Sequence, residues 1–389
     1  MDFIGGKLSE PDIFRAVFER NEVSRSALAE IFSRVSPSTL YRLLGQLVKK
    51  GYLEESSGQG ATNGRPPKLY RINPASALAV GVSITWDRIG IALSDIGGTL
   101  YGTRYLKGAA SMTPREAVSR LTAEIADLIA EDGDSRNIVG IGVAAFGPIL
   151  KDRGILSHGF HKLSSAWDDV PLKDMLESGT KLPVCVDNLV EACLLNELGT
   201  RTDLRLKKVA YVLLDKGIGS ALYAQGEKPS RHDTSGQVGH MTIDFDGAPC
   251  VCGRVGCLET FAAADALANR LSVDFEGPSD GDVYEWLSTI DARIPAVIGA
   301  PSVDDISDAI AAALRNFASL RGPEAILLGG RTVSSVPSLV DLAISKFFAS
   351  SDRLFDTADI SIEKVSLDDT GYLRGAALLM LRSRYGILS

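Results

Sequence analysis

The sequence lacks a long hydrophobic run, a low-complexity tract and a recognisable secretory signal. The missing hydrophobic run excludes a membrane-spanning helix, and together with the missing signal it predicts a cytoplasmic protein. Cysteine is also scarce, with five in 389 residues. Because paired cysteines seldom form disulfides in a reducing cytosol, these thiols are not expected to cross-link the fold.

Charge is unevenly distributed along the chain. The net charge of -8 argues against general binding to polyanions. Residues 1–72, however, contain eleven Lys and Arg against eight Asp and Glu, so this segment is net basic and the remainder is acidic. A basic head on an acidic body is the pattern expected when only the head meets nucleic acid. The length predicts two or three domains.

Three of the five cysteines lie in one short loop with a histidine. His240 is followed by Cys250, Cys252 and Cys257, and glycines lie between the last two cysteines. One imidazole and three thiolates make a complete tetrahedral ligand set for zinc, and four filled positions leave no place for a reactive water. The loop 240–257 therefore predicts a structural zinc ion; the alternative is a loop with ordinary buried thiols.

The first fifty residues predict three helices. Apolar residues recur at helical spacing from Pro11, and Ser24 and Ser36 are suited to cap the second and third helix. Pro37 fits the first turn of the third helix, and Gly51 fits its end. Two helices, a turn and a polar-faced third helix form the helix-turn-helix arrangement, whose last helix enters the major groove of DNA.

A wing is predicted after the third helix. Residues 52–54 favour a strand, and residues 58–71 favour a glycine-rich tip with basic residues before a returning strand. Basic side chains on such a tip can reach phosphates or the minor groove. The residues expected to contact DNA are Ser36, Ser38, Thr39, Tyr41, Arg42, Gln46, Arg65 and Lys68. The alternative is a three-helix structural cap with a solvated charged face.

Beyond residue 73 the pattern changes to short apolar strands and helices. Three strands between Ala79 and Leu106 predict a β-meander, followed by a helix over 114–131 and a buried strand over 139–144. A similar series in the second half predicts two β-rich α/β lobes with a cleft between them. The predicted domains are the head (1–72), the first lobe (73–188) and the second lobe (189–389), with the return of a C-terminal helix (371–384) to the first lobe left open.

Three motifs in the body resemble the ROK family of repressors, open reading frames and sugar kinases. They are the run 236–240, the cysteine loop that ends at Glu259, and the strand end 141–148. The resemblance implies an α/β fold with an actin-like (sugar-kinase/ribonuclease-H-like) two-lobe body, here preceded by an N-terminal winged helix-turn-helix domain. With that head, the chain is similar to ROK transcriptional repressors that respond to sugars.

The residues with which ROK kinases handle phosphate are replaced at three positions. The resemblance implies an Asp-x-Gly-x-Thr turn for ATP, but the equivalent segment here begins with Ser83. Asp215 stands where the second phosphate turn has its first glycine, and Leu189 stands at the catalytic base. Leucine accepts no proton, and general-base catalysis contributes about 10²–10⁴ in rate. No catalytic residue is therefore expected, although Asp187 and Glu191 flank the base position.

A second match to the ATP-turn pattern, Asp95–Thr99, lies one hairpin later in the chain. A tight turn needs Asp and Gly for its own geometry. We therefore predict an ordinary turn at this position rather than a phosphate site.

The sugar pocket implied by the resemblance is half preserved. Asn188, His240 and Glu259 match its hydroxyl-binding residues, while Leu189 and Gln237 replace acids. Zinc would hold the loop so that His240 and Glu259 face the ligand. We expect Asn188, Gln237, His240 and Glu259 to bind a sugar or a sugar derivative. The alternative is the structural remnant of a lost pocket.

Three functions follow from these motifs. The first is a sequence-specific DNA-binding regulator, expected to be a repressor of carbohydrate metabolism, with a catalytically inactive (pseudokinase) effector domain. The second is a sugar kinase that phosphorylates a hexose with ATP and carries an extra head. The third is a ligand-independent architectural protein. For the first function the expected partners are operator DNA, a sugar effector and further copies of the chain, as homodimer or homotetramer, because one head reads only a half-site.

Overall fold

The computed structural model describes residues 8–58, 66–132, 137–157, 165–225, 227, 236–277, 282–349, 359–366 and 368–388. The helices of these ranges are α1 (Glu10–Arg20), α2 (Arg25–Ile31), α3 (Pro37–Lys49), α4 (Pro114–Asp132), α5 (Leu172–Thr180), α6 (Leu189–Thr200), α7 (Glu259–Ala262), α8 (Ala264–Leu271), α9 (Val283–Ile290), α10 (Pro301–Arg321), α11 (Arg331–Ser335), α12 (Pro337–Ala349) and α13 (Asp369–Tyr385). The strands are β1 (Glu22–Ser24), β2 (Leu53–Ser57), β3 (Lys68–Ile72), β4 (Leu78–Ile84), β5 (Arg88–Asp95), β6 (Leu100–Lys107), β7 (Ile138–Ala145), β8 (Ile149–Leu150), β9 (Ile155–Leu156), β10 (Val184–Asn188), β11 (Val209–Leu214), β12 (Ile218–Tyr223), β13 (Ala325–Gly329) and β14 (Ser361–Lys364). None of the helices in these ranges is long and apolar enough to cross a membrane.

The described residues divide into two compact units. Unit 1 consists of Met1–Leu206, Ala224–Arg231 and Asp369–Ser389, and unit 2 of Lys207–Tyr223 and His232–Asp368. The head is therefore part of unit 1, and the C-terminal helix α13 returns to this unit. The division also falls after Leu206 rather than after residue 188, because α6 packs along α13.

The head contains α1, α2 and α3 and a three-stranded antiparallel sheet in which β3 lies between β1 and β2. Ser24 caps α2 by accepting a hydrogen bond from the Ala27 N–H at 3.1 Å, and Ser36 caps α3 through Thr39 at 3.4 Å. The sequence predicts both caps. It gives no sign of β1, which has only three residues and depends on its partner for its hydrogen bonds.

The sheet of unit 1 has the strand order β10-β7-β4-β5-β6. Strands β4 to β6 form the predicted antiparallel meander, while β7 runs parallel to β4 and β10 parallel to β7. Every residue of β4 is buried, as expected for a central strand covered on both faces. In the edge strand β6, half of the residues are exposed and the other half are half-buried.

Helix α13 approaches the central strands of this sheet very closely. A Cβ atom on Gly81 of β4 would lie 2.1 Å from the Leu373 carbonyl oxygen, and one on Gly142 of β7 would lie 1.8 Å from that of Ala376. Real Cβ atoms do not tolerate such distances, so glycine is required at both positions. The two glycines therefore allow the last helix to complete the core of unit 1.

Unit 2 is built on a four-stranded sheet of order β12-β11-β13-β14. Strands β11 and β12 form an antiparallel hairpin, whereas β13 and β14 continue the sheet in parallel with β11. Helices α8, α10 and α12 contribute buried apolar residues to its core, among them Leu267, Ile306, Leu314 and Val340. The hairpin and the end of β13 bring Asp215 and Arg331 together, as described below.

Candidate functional site

The four predicted metal ligands lie together in unit 2. The ligand atoms of His240, Cys250, Cys252 and Cys257 all lie within 4.8 Å of one another. The Sγ atoms of Cys252 and Cys257 are 3.6 Å apart, and Cys250 Sγ lies 3.6 Å from His240 Nδ1. Tetrahedral zinc with bonds of about 2.3 Å to sulfur requires neighbouring ligands about 3.8 Å apart. The cluster therefore fits a four-coordinate metal ion.

The loop geometry depends on glycine. Gly253 and Gly256 have φ of +87° and +62°, in the left-handed region. A Cβ atom on Gly256 would lie 1.5 Å from the Asp244 carbonyl oxygen. A β-bridge between Thr242 and Cys257 then ties the two ends of the loop together. Glycine thus lets the chain fold tightly enough to bring the sulfurs to one point.

The thiols of the cluster differ in acidity. Burial and hydrogen bonds with the neighbouring thiols raise the pKa of Cys257 to about 12. Burial also acts on Cys252, but hydrogen bonds from the backbone and side chain of Arg254 outweigh it and lower the pKa of Cys252 to about 7. Metal ligation requires thiolates. Cys252 is therefore the cysteine of this loop that most readily supplies one.

Three of the four predicted effector residues surround the same loop. Glu259 begins α7, and its Oε1 accepts a hydrogen bond from the Ile218 N–H at 3.0 Å. Its second oxygen, Oε2, lies 3.9 Å from His240 Nδ1. The carbonyl oxygen of Gln237 accepts a hydrogen bond from the His240 N–H at 3.0 Å. Hairpin and loop thus fix the positions of Glu259 and His240 in unit 2.

The fourth predicted effector residue, Asn188, belongs to unit 1. It caps α6, since its Oδ1 accepts a hydrogen bond from the Val190 N–H at 2.9 Å. Its Nδ2 donates to the Gly147 carbonyl oxygen at 2.6 Å. Asn188 therefore has a fixed orientation between the start of α6 and the end of β7. Leu189, at the predicted base position, is the first residue of the helix.

The two acids that flank Leu189 form a buried ion-pair cluster. Asp187 Oδ1 lies 2.8 Å from Lys151 Nζ, and Asp187 Oδ2 lies 3.4 Å from Arg382 Nη2. Arg382 also pairs with Glu191. Burial and the neighbouring Glu191 raise the pKa of Asp187, whereas the cations outweigh burial at Glu191 and lower its pKa. Both acids are thus held by cations.

The Asp95–Thr99 segment is an ordinary turn, as predicted. Asp95 Oδ1 accepts a hydrogen bond from the Thr99 N–H at 2.9 Å, and Oδ2 accepts one from the Tyr101 hydroxyl at 3.0 Å. Gly98 has a φ of +87°, which the turn requires. The carboxylate is engaged in shaping the hairpin between β5 and β6.

In unit 2 the Asp215 carboxylate is surrounded by donors. The backbone N–H of Arg331 and two nitrogens of its guanidinium lie 3.0 to 3.2 Å from its oxygens. The Tyr284 hydroxyl donates at 2.5 Å and the Lys216 N–H at 2.7 Å. Asp215 is buried. Burial raises the pKa of Tyr284, and the negative charge of Asp215 raises it further. The donors at this turn therefore bind a carboxylate of the chain itself, that of Asp215.

The predicted DNA-contacting face of α3 is open to solvent. Ser36, Ser38, Tyr41, Arg42 and Gln46 are exposed, and Thr39 is half-buried. Within this face Arg42 donates a hydrogen bond to Gln46 at 3.0 Å. The guanidinium of Arg25 stacks on the Tyr41 ring at 3.3 Å.

The wing residues differ from this face. Lys68 pairs with Glu55 at 2.6 Å on the neighbouring strand, a contact that would compete with a phosphate. Arg65 lies outside the described residues, so its place on the wing is not described.

Comparison with known proteins decides the family. The sequence model of the ROK family matches residues 79–383. The chain belongs to the ROK family. The xylose repressor of Bacillus subtilis (strain 168) is 24% identical over 337 residues, which cover 86% of this chain and 85% of the repressor. The glucokinase of Halalkalibacterium halodurans is 29% identical over 313 residues, which cover 73% of this chain and 93% of the glucokinase.

A solved ROK structure confirms the predicted fold class. It is a ROK family transcriptional regulator, a homologue of the E. coli MLC protein, which matches with a TM-score of 0.77 and 21% identity over 97% of both chains. The glucokinase, in contrast, leaves about a quarter of this ROK chain unmatched although nearly all of the glucokinase is used.

Several residues that define these sites have no local sequence signal. The cations Lys151, Arg382 and Arg331 and the phenol of Tyr284 reach acids that are 36 to 195 residues distant in the chain. Periodicity and spacing describe only neighbouring residues. In the sequence, Asp187, Glu191 and Asp215 lie beside apolar residues, which is a signal that could have predicted cationic partners for them.

Proposed function

We propose that this ROK protein is a cytoplasmic, sequence-specific transcriptional repressor of carbohydrate metabolism with a sugar-responsive body that has lost kinase activity. The observation that carries the proposal is the combination, in one chain, of an exposed polar face on α3 with a body whose base position is Leu189. The xylose repressor matched over 86% of the chain supports the same conclusion.

Recognition of DNA is assigned to α3 and the wing. Arg42 and Gln46 suit the edges of bases in the major groove, whereas Ser36 and Ser38 at the helix N-terminus suit phosphates. Because one head reads a half-site, we propose a two-fold operator and a homodimer or homotetramer.

The test of DNA recognition is the substitution Arg42→Ala in the full-length protein. We expect about a tenfold or greater loss of affinity for oligonucleotides selected from a random pool, since a specific side-chain contact to a base contributes about 1–3 kcal/mol. Arg120→Ala, which removes an exposed arginine from α4, is the matched control. Equal affinity of the two variants in fluorescence anisotropy would remove α3 from the proposed interface.

The metal is proposed to be zinc, held by His240, Cys250, Cys252 and Cys257. A closed four-ligand site supplies structure and leaves no open position for chemistry. The metal would take His240 through Nδ1, the nitrogen near Cys250, and so leave Nε2 to a ligand hydroxyl. Zinc thereby orients a sugar contact without touching the sugar.

The effector is proposed to be a sugar or sugar derivative bound by Asn188, Gln237, His240 and Glu259. Asn188 and Glu259 are already oriented by hydrogen bonds to backbone groups. Gln237 stands in place of an acid and supplies both a donor and an acceptor. The loss of two carboxylates favours a less hydroxylated or derivatised ligand over a free hexose.

Loss of catalysis is supported by the residues at three positions, Ser83, Leu189 and Asp215. Leu189 cannot take a proton, and the Asp187 and Glu191 carboxylates beside it are held by Lys151 and Arg382. Asp215 stands where the second phosphate turn has its first glycine, so the backbone there is no longer free to approach a phosphate closely.

The second candidate is a sugar kinase with an extra head, which the 29% identity to a glucokinase favours. Incubation with ATP, magnesium and a panel of hexoses separates the two candidates. We expect no sugar-dependent ADP release above background. Turnover of about one per second or faster, typical of kinases, would overturn the regulator-only function.

A further inference from the structure

The DNA-binding head is packed against the rest of unit 1 through aromatic rings. Phe14 of α1 stacks on Tyr385, the last residue of α13, with ring centroids 4.9 Å apart. Tyr52, which precedes β2, lies 6.1 Å from each of these rings. The head therefore has a defined seat on the C-terminal helix and is attached by more than its covalent linker.

Arg205 is the polar centre of a second attachment. Its guanidinium donates to three carbonyl oxygens: those of Leu198 and Gly199 at the end of α6, each at 2.6 Å, and that of Phe18 in α1, at 2.5 Å. It also stacks on the Phe18 ring at 4.4 Å. Arg205 is only 4% exposed. One buried cation thus joins the C-terminal ends of two helices, where it also offsets their dipoles.

A third contact supports the same junction. Gln225 donates a hydrogen bond at 2.8 Å to Glu19, which follows Phe18 in α1. Glu19 is buried, and burial raises its pKa although Arg15, Arg20 and Arg205 act in the opposite direction. The last turn of α1 is thus held by Arg205 at Phe18 and by Gln225 at Glu19.

Helix α6 connects this junction to the proposed effector site. Its N-cap is Asn188, and its last turn supplies the carbonyls of Leu198 and Gly199 to Arg205. Eleven residues of helix span about 16 Å. The helix has little freedom to bend, because Gly375 of α13 lies so close that a Cβ atom there would be 1.9 Å from the Ala192 carbonyl oxygen. A shift at one end of α6 must therefore reach the other.

We propose that Arg205 is the positioning residue that transmits movement of α6 to the DNA-binding head. This inference rests on the proposed function, because it names the route by which a ligand at Asn188 alters operator binding. The guanidinium fits this task because its planar fork holds both helices at fixed directions.

The first experiment compares Arg205→Met with Lys207→Met, which removes an exposed cation two residues away. Hydrogen exchange by mass spectrometry is followed in peptides that cover Glu10–Arg20. We expect exchange to rise about tenfold or more in Arg205→Met and to remain unchanged in the control. Unchanged exchange in both variants would overturn the proposal. If Arg205→Met does not fold, Arg205→Lys decides, since a single ammonium cannot reach three carbonyls in this fork geometry.

The second experiment tests transmission along α6. Asn188→Ala removes the helix cap and is made in the Arg205 and Arg205→Met backgrounds. We expect Asn188→Ala to change exchange in α1 severalfold when Arg205 is present and to add nothing when it is absent, a coupling that a double-mutant cycle measures. Equal effects in both backgrounds, or none in either, contradict the proposal.

The third measurement separates this inference from the proposed function. Affinity for the selected oligonucleotides is measured with D-xylose, D-glucose and N-acetyl-D-glucosamine. If a sugar changes the affinity of the wild type but not of Arg205→Met, both proposals stand. If it changes both equally, the regulator stands and the role of Arg205 falls. If no sugar acts while the exchange coupling is present, the effector response fails and the junction stands.

Discussion

The His-Cys loop (240–257) and the Asp215 turn belong to the same unit, yet the carboxylates beside them are used in opposite ways. Around the loop, Glu259 uses one carboxylate oxygen to bind the backbone and keeps the other more than 3.5 Å from His240. At the turn, Asp215 is saturated by donors from Arg331, Tyr284 and Lys216. Under the proposed function, this difference means that sugar-binding residues are retained while the second phosphate turn is occupied by the paired Asp215 carboxylate.

The largest effect is expected from Cys252→Ser. Loss of one thiolate should release the metal and lower the free energy of unfolding by more than about 4 kcal/mol, because metal binding and loop folding are coupled. Metal analysis by mass spectrometry and denaturant unfolding measure both quantities. Cys185→Ser, in unit 1, is the matched control and should retain about one zinc per chain. Full zinc content in Cys252→Ser would mean that the loop is not the metal site.

Breaking the Asp215 cluster should lower the free energy of unfolding by less than Cys252→Ser does. We expect Asp215→Asn to lower the free energy of unfolding by about 2 kcal/mol, below the range for a fully buried pair because the Arg331 side chain is 37% exposed. Asp203→Asn, which removes an exposed partner of Arg201, should change it by less than about 0.5 kcal/mol. Urea unfolding distinguishes the two. Equal losses of unfolding free energy would show that the Asp215 cluster stabilises the fold no more than a surface ion pair does.

Glu259→Gln tests the role of the Glu259 carboxylate in the proposed effector site. The amide keeps an acceptor for the Ile218 N–H but gives a ligand hydroxyl a weaker partner than a carboxylate. The sugar concentration that halves operator binding should rise about tenfold, which corresponds to a loss of about 1.4 kcal/mol in the free energy of sugar binding. Operator affinity without sugar should stay unchanged in anisotropy titrations. A normal sugar response in Glu259→Gln would remove this residue from the effector site.

The smallest effect is expected from Leu189→Asp. Restoring a carboxylate at the base position should give no measurable sugar-dependent ADP release, because Ser83 and Asp215 remain unsuited to phosphate. The wild type serves as its reference in a coupled ATPase assay. Turnover in this single variant would show that the turns at Ser83 and Asp215 can still accept the phosphates of ATP.

Much of the fold follows from local sequence. The His-Cys loop, the caps at Ser24 and Ser36 and the meander of unit 1 depend on spacing within a few residues, and spacing was sufficient to predict them. The ion pairs could not be predicted, since Arg382 and Glu191 are brought together only by the packing of α13 on α6. The contact-based division after Leu206 depends on the same packing: α6 begins where β10 ends but shares its core with α13.

Helix α13 has a further consequence for synthesis of the protein. It is the last of the described helices to leave the ribosome. It nevertheless packs on the sheet at Gly81 and Gly142, and its Tyr385 contacts Phe14 of the head. In a nascent chain that already displays α3, the head therefore lacks the contact with Tyr385 until α13 has been synthesised. A prematurely terminated product, with the whole of residues 1–72 intact, would consequently be a poor competitor for the operator.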